Sequence, residues 1–199
     1  TAYNQTDLLQ KFFIPLTDNT ELKLNLQYST SSDIPRFDRL DEKHEGTLKF
    51  AEWYYGPQER LLISPQLVIN PGKPWLDKGT FTLAYQNIKE SRIQRKLSSL
   101  ERSYRNENVD IFSVNGDFMI PLSKNENRAF TYGFEFLNND VNSSAFGKTL
   151  DVLGNDIIGF SDNFNVQTRY PDGGSSYVSS ALYLGYREDL NAKSTSAAL

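Results

Sequence analysis

A chain of 199 residues and 22.7 kDa has the length of one domain with a sizeable core, or of a piece of something larger. Its 38% hydrophobic content and mean hydropathy of -0.54 leave no stretch near the roughly 18 consecutive apolar residues of a spanning helix. Spanning helices are thereby excluded, but spanning strands, whose side chains alternate between lipid and lumen, are not. A net charge of -4, from 21 basic and 25 acidic residues, gives no reason to expect a nucleic-acid surface or a polybasic membrane anchor.

Zero cysteines exclude disulfides, thiolate metal sites and cysteine nucleophiles, and with one histidine, His44, no triad can use more than that residue. Residues 1–4 carry no basic region and no apolar signal core, which leaves the chain cytoplasmic, already processed or cut from a longer parent. The aromatics are 11 Tyr and 13 Phe against 2 Trp, and their placement carries most of the information.

In chain order, an apolar-rich run at 8–16 is followed by the turn sequence Thr17-Asp18-Asn19 and then by strict period two. In 21–28, Leu22, Leu24, Leu26 and Tyr28 share one face, and Glu21, Lys23, Asn25 and Gln27 the other. Looser runs follow at 59–70, 79–88 and 109–122. In the last of these Phe112, Val114, Phe118 and Ile120 share a face on which Gly116 leaves a gap, opposite Ser113, Asn115, Asp117 and Met119. In 129–136 four aromatics alternate, Phe130, Tyr132, Phe134 and Phe136, against Thr131, Gly133 and Glu135. A run at 176–190 follows, and 194–199 starts another. An alternating aromatic face needs either a second covering layer or lipid. Most of the complete runs are near the 9 to 11 residues a tilted strand needs to cross a bilayer.

The connections alternate in length. Tight polar turns at 17–19, 70–74, 123–127 and 191–193 alternate with long excursions at 31–58, 89–108 and 137–175. In an antiparallel arrangement every short turn falls at one end and every long loop at the other, as in outer-membrane barrels. Loops of such length are uncommon in compact soluble domains. The expectation is an all-β chain, an antiparallel transmembrane β-barrel segment of seven strands and the start of an eighth, whose two ends look like cuts.

Three strings carry a family resemblance: Asp33-Ile34-Pro35-Arg36-Phe37-Asp38-Arg39-Leu40, Leu48-Lys49-Phe50-Ala51-Glu52-Trp53-Tyr54-Tyr55-Gly56-Pro57-Gln58, and Gln167-Thr168-Arg169-Tyr170-Pro171-Asp172-Gly173-Gly174-Ser175. With them the chain resembles the barrel domain of TonB-dependent outer-membrane receptors, above all those of Bacteroidota and the importers of haem and siderophores. The resemblance implies a barrel of 22 strands plugged by an N-terminal domain and energised by the TonB, ExbB and ExbD complex. It implies uptake of a scarce nutrient with no covalent chemistry and no resident cofactor. The plug, the TonB box and most of the barrel have no counterpart in these residues, so 1–199 reads as an internal barrel segment whose partners are its own plug and the remaining strands. Outer-membrane lipid and lipopolysaccharide surround such a wall. Bacteroidota homologues also work with surface lipoproteins in glycan or peptide uptake, which keeps that partner and the substrate class open. The competing expectations are a complete small porin-like barrel and a soluble β-sandwich binding module.

Ligand candidates lie in the long excursions. Arg36, Arg39 and Arg169 are suited to grip carboxylate or phosphate, and Trp53, Tyr54, Tyr55 and Tyr170 offer rings for stacking. An interfacial girdle or loop packing explains Trp53, Tyr54 and Tyr55 as well. His44, a candidate ligand for haem iron, sits among loop charges where a solvated histidine is the stronger reading, and no metal site is expected. Arg92, Arg95, Lys96, Arg102 and Arg105 form a basic stretch that suits lipopolysaccharide phosphates or, more plainly, a solvated charged loop. Asp151 and Asp156 lack a partner motif, so catalysis is not expected. Lys11, Ser64 and Gln66 join the polar residues of 21–28, Ser113, Asn115, Asp117 and Glu135 as the lumen-facing set, against the lipid-facing set of apolar and aromatic residues above.

Overall fold

Residues that alternate in polarity are accommodated by strands whose two sides meet different surroundings, and the computed structural model forms strands at every run named above. It describes residues 2–123, 127–154, 156–190 and 193–198. The first hairpin is β1 (Gln5–Thr17) with β2 (Thr20–Ser31). The segment after it holds β3 (Ile34–Pro35), the one-turn α1 (Phe37–Leu40), a small separate hairpin of β4 (Lys43–His44) and β5 (Thr47–Leu48), and β6 (Phe50–Tyr55). Then come β7 (Glu59–Ile69), β8 (Lys78–Lys96), β9 (Glu101–Pro121), β10 (Arg128–Leu153), β11 (Asp156–Phe164), a 3-10 turn at Pro171–Gly173, β12 (Gly174–Leu190) and β13 (Lys193–Ala198).

All pairings are antiparallel, and the sheet runs β1-β2-β7-β8-β9-β10-β12-β13 as an up-and-down meander. It is strongly curled into a half-barrel. The chain is therefore all-β, and no described helix is long and apolar enough to cross a membrane.

Register puts the alternating residues of every strand on a common side. One row crosses seven strands as Ile14, Leu22, Leu67, Phe81, Gly116, Phe134 and Leu182, each directly opposite the next. The adjacent row on the other face reads Phe13, Lys23, Gln66, Thr82, Asn115, Glu135 and Ala181. Leu22, Leu24, Leu26, Tyr28, Phe112, Phe118, Phe130, Tyr132, Phe134 and Phe136 thus share one surface. Aromatic ladders knit it together: Phe118 stacks on Tyr132 at 5.2 Å between centroids, and Phe130 meets Tyr186 at 5.5 Å.

Glycines on both faces are filled by neighbouring rings. A side chain at Gly116 would run into Phe134 and Phe118, and one at Gly133 into the Gly116 carbonyl and the ring of Tyr183. Lying across Gly133, Tyr183 donates its hydroxyl to Asp117 two strands away. Such ring-over-glycine packing lets a sheet bend sharply without leaving a hole.

Among the described residues the buried apolar set is only Leu76, Ile93, Ala129 and Leu150. The described residues form one curved layer with no second layer over its apolar side, unlike a sandwich, where two such faces close on each other.

The excursions at 89–108 and 137–175 depart from the loop expectation. β8 continues to Lys96 and β9 starts at Glu101, in unbroken register from Lys78↔Met119 to Arg95↔Arg102. β10 runs 26 residues to Leu153 and turns back through β11. Above the apolar rows polar residues fall on both faces among the apolar ones, so the period-two contrast is lost while the backbone pairing goes on. Part of 31–58 behaves likewise, since β6 continues the line of β7 and pairs with the upper half of β8.

Candidate functional site

The upper edge, where three strand pairs project beyond the apolar rows, gathers the densest polar and aromatic chemistry. On the polar face, β6 presents Trp53 and Tyr55, and the residue after β3 brings Arg36 over them, tied by its N–H to the Trp53 carbonyl. The Arg36 guanidinium lies 4.7 Å from the Trp53 ring centroid and 5.6 Å from that of Tyr55, and donates to the Tyr55 hydroxyl at 2.9 Å. It also binds both carboxylate oxygens of Asp38. That contact, set against partial desolvation, raises the Arg36 pKa and lowers that of Asp38. Arg92 approaches Tyr55 at 5.4 Å and is held by Glu90 at 2.9 Å. Tyr55 therefore carries two guanidinium neighbours, each with its own carboxylate, and the cluster fastens the first excursion to β8 by stacking and ion pairing.

On the opposite face of the same strands Glu52 sits between Arg102, at 2.6 Å, and Arg95, at 3.3 Å. All three are largely buried, with 17%, 12% and 20% of their side chains exposed. Burial acts to raise the Glu52 pKa, but the hydrogen bonds and charges of Arg102 and Arg95 outweigh it and hold the carboxyl below its ordinary value. Tyr54 shares this face opposite Ile93, and its phenol is pushed up by burial. Next to it, Tyr104 and Phe146 stack at 4.8 Å, and Lys148 lies 4.7 Å from the Phe160 ring.

The candidates read from the sequence separate accordingly. Arg36, Trp53 and Tyr55 come together; Tyr54 is on the reverse side. Arg39 is on α1 and pairs with Glu42 at 3.1 Å, while His44 is exposed on β4. Arg169 reaches Glu107 at 3.7 Å, and the Tyr170 carbonyl accepts from the Thr168 hydroxyl at 2.7 Å, just before the turn that Asp172 and Gly173 make with positive φ. No cluster among the described residues has the ligands for a metal ion.

The basic stretch is corrected in one respect: Arg92, Arg95 and Arg102 lie on strands and are neutralised by Glu90 and Glu52, and Arg105 donates to the Gln167 carbonyl at 3.2 Å. Glu52 and Glu90 were not singled out from the sequence. Glu90 and Arg92 are two apart, as a same-face ion pair on a strand requires, but Glu52 is 43 and 50 residues from its partners and had no local signal.

No protein-family model, curated protein or solved structure matches the chain. The edge is built of stacked guanidinium groups, aromatic rings and carboxylates held in ion pairs.

Proposed function

We propose that the chain is wall and outer rim of an outer-membrane β-barrel, a segment of a larger barrel that takes part in TonB-energised uptake of a scarce nutrient. The observation that carries the wall reading is the uncovered apolar row from Ile14 to Leu182, backed on the other face by a row that is polar at its centre. In water, so much contiguous apolar surface would call for a partner, whereas in a bilayer lipid covers it. The ten apolar and aromatic residues of that surface are then lipid-facing, and Lys23, Asn25, Gln66, Asn115 and Glu135 face the lumen and plug. The turns at 18–19 and 70–77 are periplasmic, and the projecting hairpins are extracellular. Uptake, the TonB partner and the iron or haem class rest on the resemblance of the three strings, with Arg36, Trp53 and Tyr55 as the outer surface that meets the ligand.

Residues 1–199 hold no cysteine, so single cysteines placed in them test the topology. Thr47→Cys in the β4–β5 hairpin is expected to react with a membrane-impermeant maleimide on intact cells, and Asn19→Cys in the β1–β2 turn only after the outer membrane is permeabilised. Equal labelling at both positions would sink the wall reading. Uptake that survives collapse of the proton-motive force would remove the TonB-energised part alone.

A further inference from the structure

On the apolar face, immediately above the aromatic belt, three strands change together to amide, carboxylate and hydroxyl side chains. β8 carries Asn87, β9 carries Asn106, Asn108 and Asp110, and β10 carries Asn142 and Ser144 on this side, by the same register that aligns the belt. These residues line an open cavity of about 690 Å³. Aromatic rings bound it at both ends: Tyr85 and Phe112 form the last belt row below, and the Tyr104–Phe146 stack stands above.

The lining is partly preorganised. Asp110 accepts from the Tyr85 hydroxyl at 2.6 Å, from Asn87 at 2.8 Å and from Asn108 at 3.0 Å, while Asn87 also donates to the Asn108 oxygen at 2.9 Å. Asn106 and Ser144 take no part in this network, and Asn142 and Ser144 are exposed. The charge of the cavity is negative on balance: Asp110 lines it with Asp140 directly opposite on the next strand, and Lys89, which also lines it, is bound to Glu59 at 3.1 Å. Two like charges facing across a sheet repel anions, so a phosphate headgroup is disfavoured. Amides that both donate and accept, beside a carboxylate that accepts, flanked by exposed rings, match a neutral ligand with several hydroxyls and an apolar ring face. The volume suits a mono- or disaccharide.

We propose that this cavity binds the neutral sugar headgroup of an outer-leaflet glycolipid. The sugar chemistry follows from the lining; its lipid source rests on the wall reading, which places the cavity at headgroup height. From Tyr85 to Ser91 the strand rises about 20 Å along its own axis, or about 15 Å along the normal at barrel tilt. A bound glycolipid would lay its acyl chains on the belt and its sugar on the amide rows.

The test uses the full chain reconstituted in phosphatidylethanolamine nanodiscs doped with digalactosyl diacylglycerol or with phosphatidylglycerol, and reads retained lipid by native mass spectrometry. Digalactosyl lipid is expected to be retained and phosphatidylglycerol not. The Asn106→Ala/Asn142→Ala pair is expected to weaken retention about tenfold, the loss of a few hydrogen bonds. Ser144→Trp, which fills the cavity while sparing the Asp110 network, gives the same loss should the alanine pair fail to fold. Equal retention of phosphatidylglycerol, or retention that neither variant changes, would overturn the proposal. Free galactobiose binding as tightly as the glycolipid would overturn the headgroup assignment in favour of a soluble saccharide. A chain that stays dissolved without detergent would overturn the wall reading, and the galactobiose arm, run in buffer, separates that failure from failure of the sugar site.

Discussion

Leu182 provides the sharpest test of what covers the apolar face. It lies on β12 opposite Phe134, in the row that begins at Ile14, and 87% of its surface is open. In water, replacing so exposed a leucine by lysine changes stability by no more than about 0.5 kcal/mol. In lipid, the same charge within the belt costs about 2–4 kcal/mol. Ala181, the neighbouring residue on the polar face, is exposed as well, and Ala181→Lys serves as the reference. With a urea dependence near 2 kcal/mol per molar, Leu182→Lys in phospholipid vesicles is expected to lower the unfolding midpoint by about 1–2 M relative to Ala181→Lys. Trp53 and Trp75 supply the fluorescence signal. Coincident curves for the two variants would refute the assignment of this face to lipid.

Glu52→Gln leaves Arg95 and Arg102 facing each other without their carboxylate and is expected to destabilise the upper hairpins by about 1–3 kcal/mol, read as faster amide exchange in β6; the figure stays below that of a fully enclosed pair because 12% and 20% of the two arginines remain exposed. In the native protein the folded Glu52 pKa lies below its ordinary value of 4.5, so this contribution is full above that value and fades as pH falls through the folded one. Glu52→Gln should therefore flatten the acid limb of β6 protection, and an unchanged limb would count against the ion pair. Arg36→Lys keeps the charge but loses the bidentate grip on Asp38 and the planar stack on Trp53, and cleavage of the segment between α1 and β6 by an added protease should rise about threefold or more. Gly133→Ala drives a methyl group into the Gly116 carbonyl and the Tyr183 ring and should cost about 1–3 kcal/mol, whereas Gly159→Ala, with open space and only Asp151 nearby, should cost less.

The lower half of the sheet was legible because its two faces differ. Period-two contrast in 21–28 and 129–136 names the strand, its face and its partners' faces at once, and the turn sequences between runs fix the order of a meander. The upper strands were illegible for the converse reason: in Asn106, Glu107, Asn108 and in Asn139, Asp140, Val141, Asn142 polar residues fall on both sides, so pairing persists with no pattern to report it. Of the candidate site, Arg36 with Trp53 and Tyr55 could be anticipated as residue types in a projecting segment. Their partners could not, because Arg92 is brought beside Tyr55 by register between β6 and β8, 37 positions apart in sequence by numbering. The separation of Tyr54 from its two neighbours follows from the strand itself, since a run of three consecutive residues on a strand must put the middle one on the reverse side.

Continuing the sheet beyond the apolar rows leaves the polar and aromatic edge ordered in advance. A ligand surface built on irregular loops must be ordered at the moment of binding, at a cost in entropy, whereas one built on paired strands is already in place. The rim is stitched across elements by Glu52 to Arg95 and Arg102 on one face and by Arg36, Tyr55 and Arg92 on the other, so that neither face can move without disturbing the other. The amide rows at Asn87, Asn108 and Asp110 mark the level where apolar contrast ends and this stitched region begins. Below that level the aromatics pack with one another into the apolar belt; above it the same residue types hold arginines, and a strand's position relative to that row decides which role its rings play.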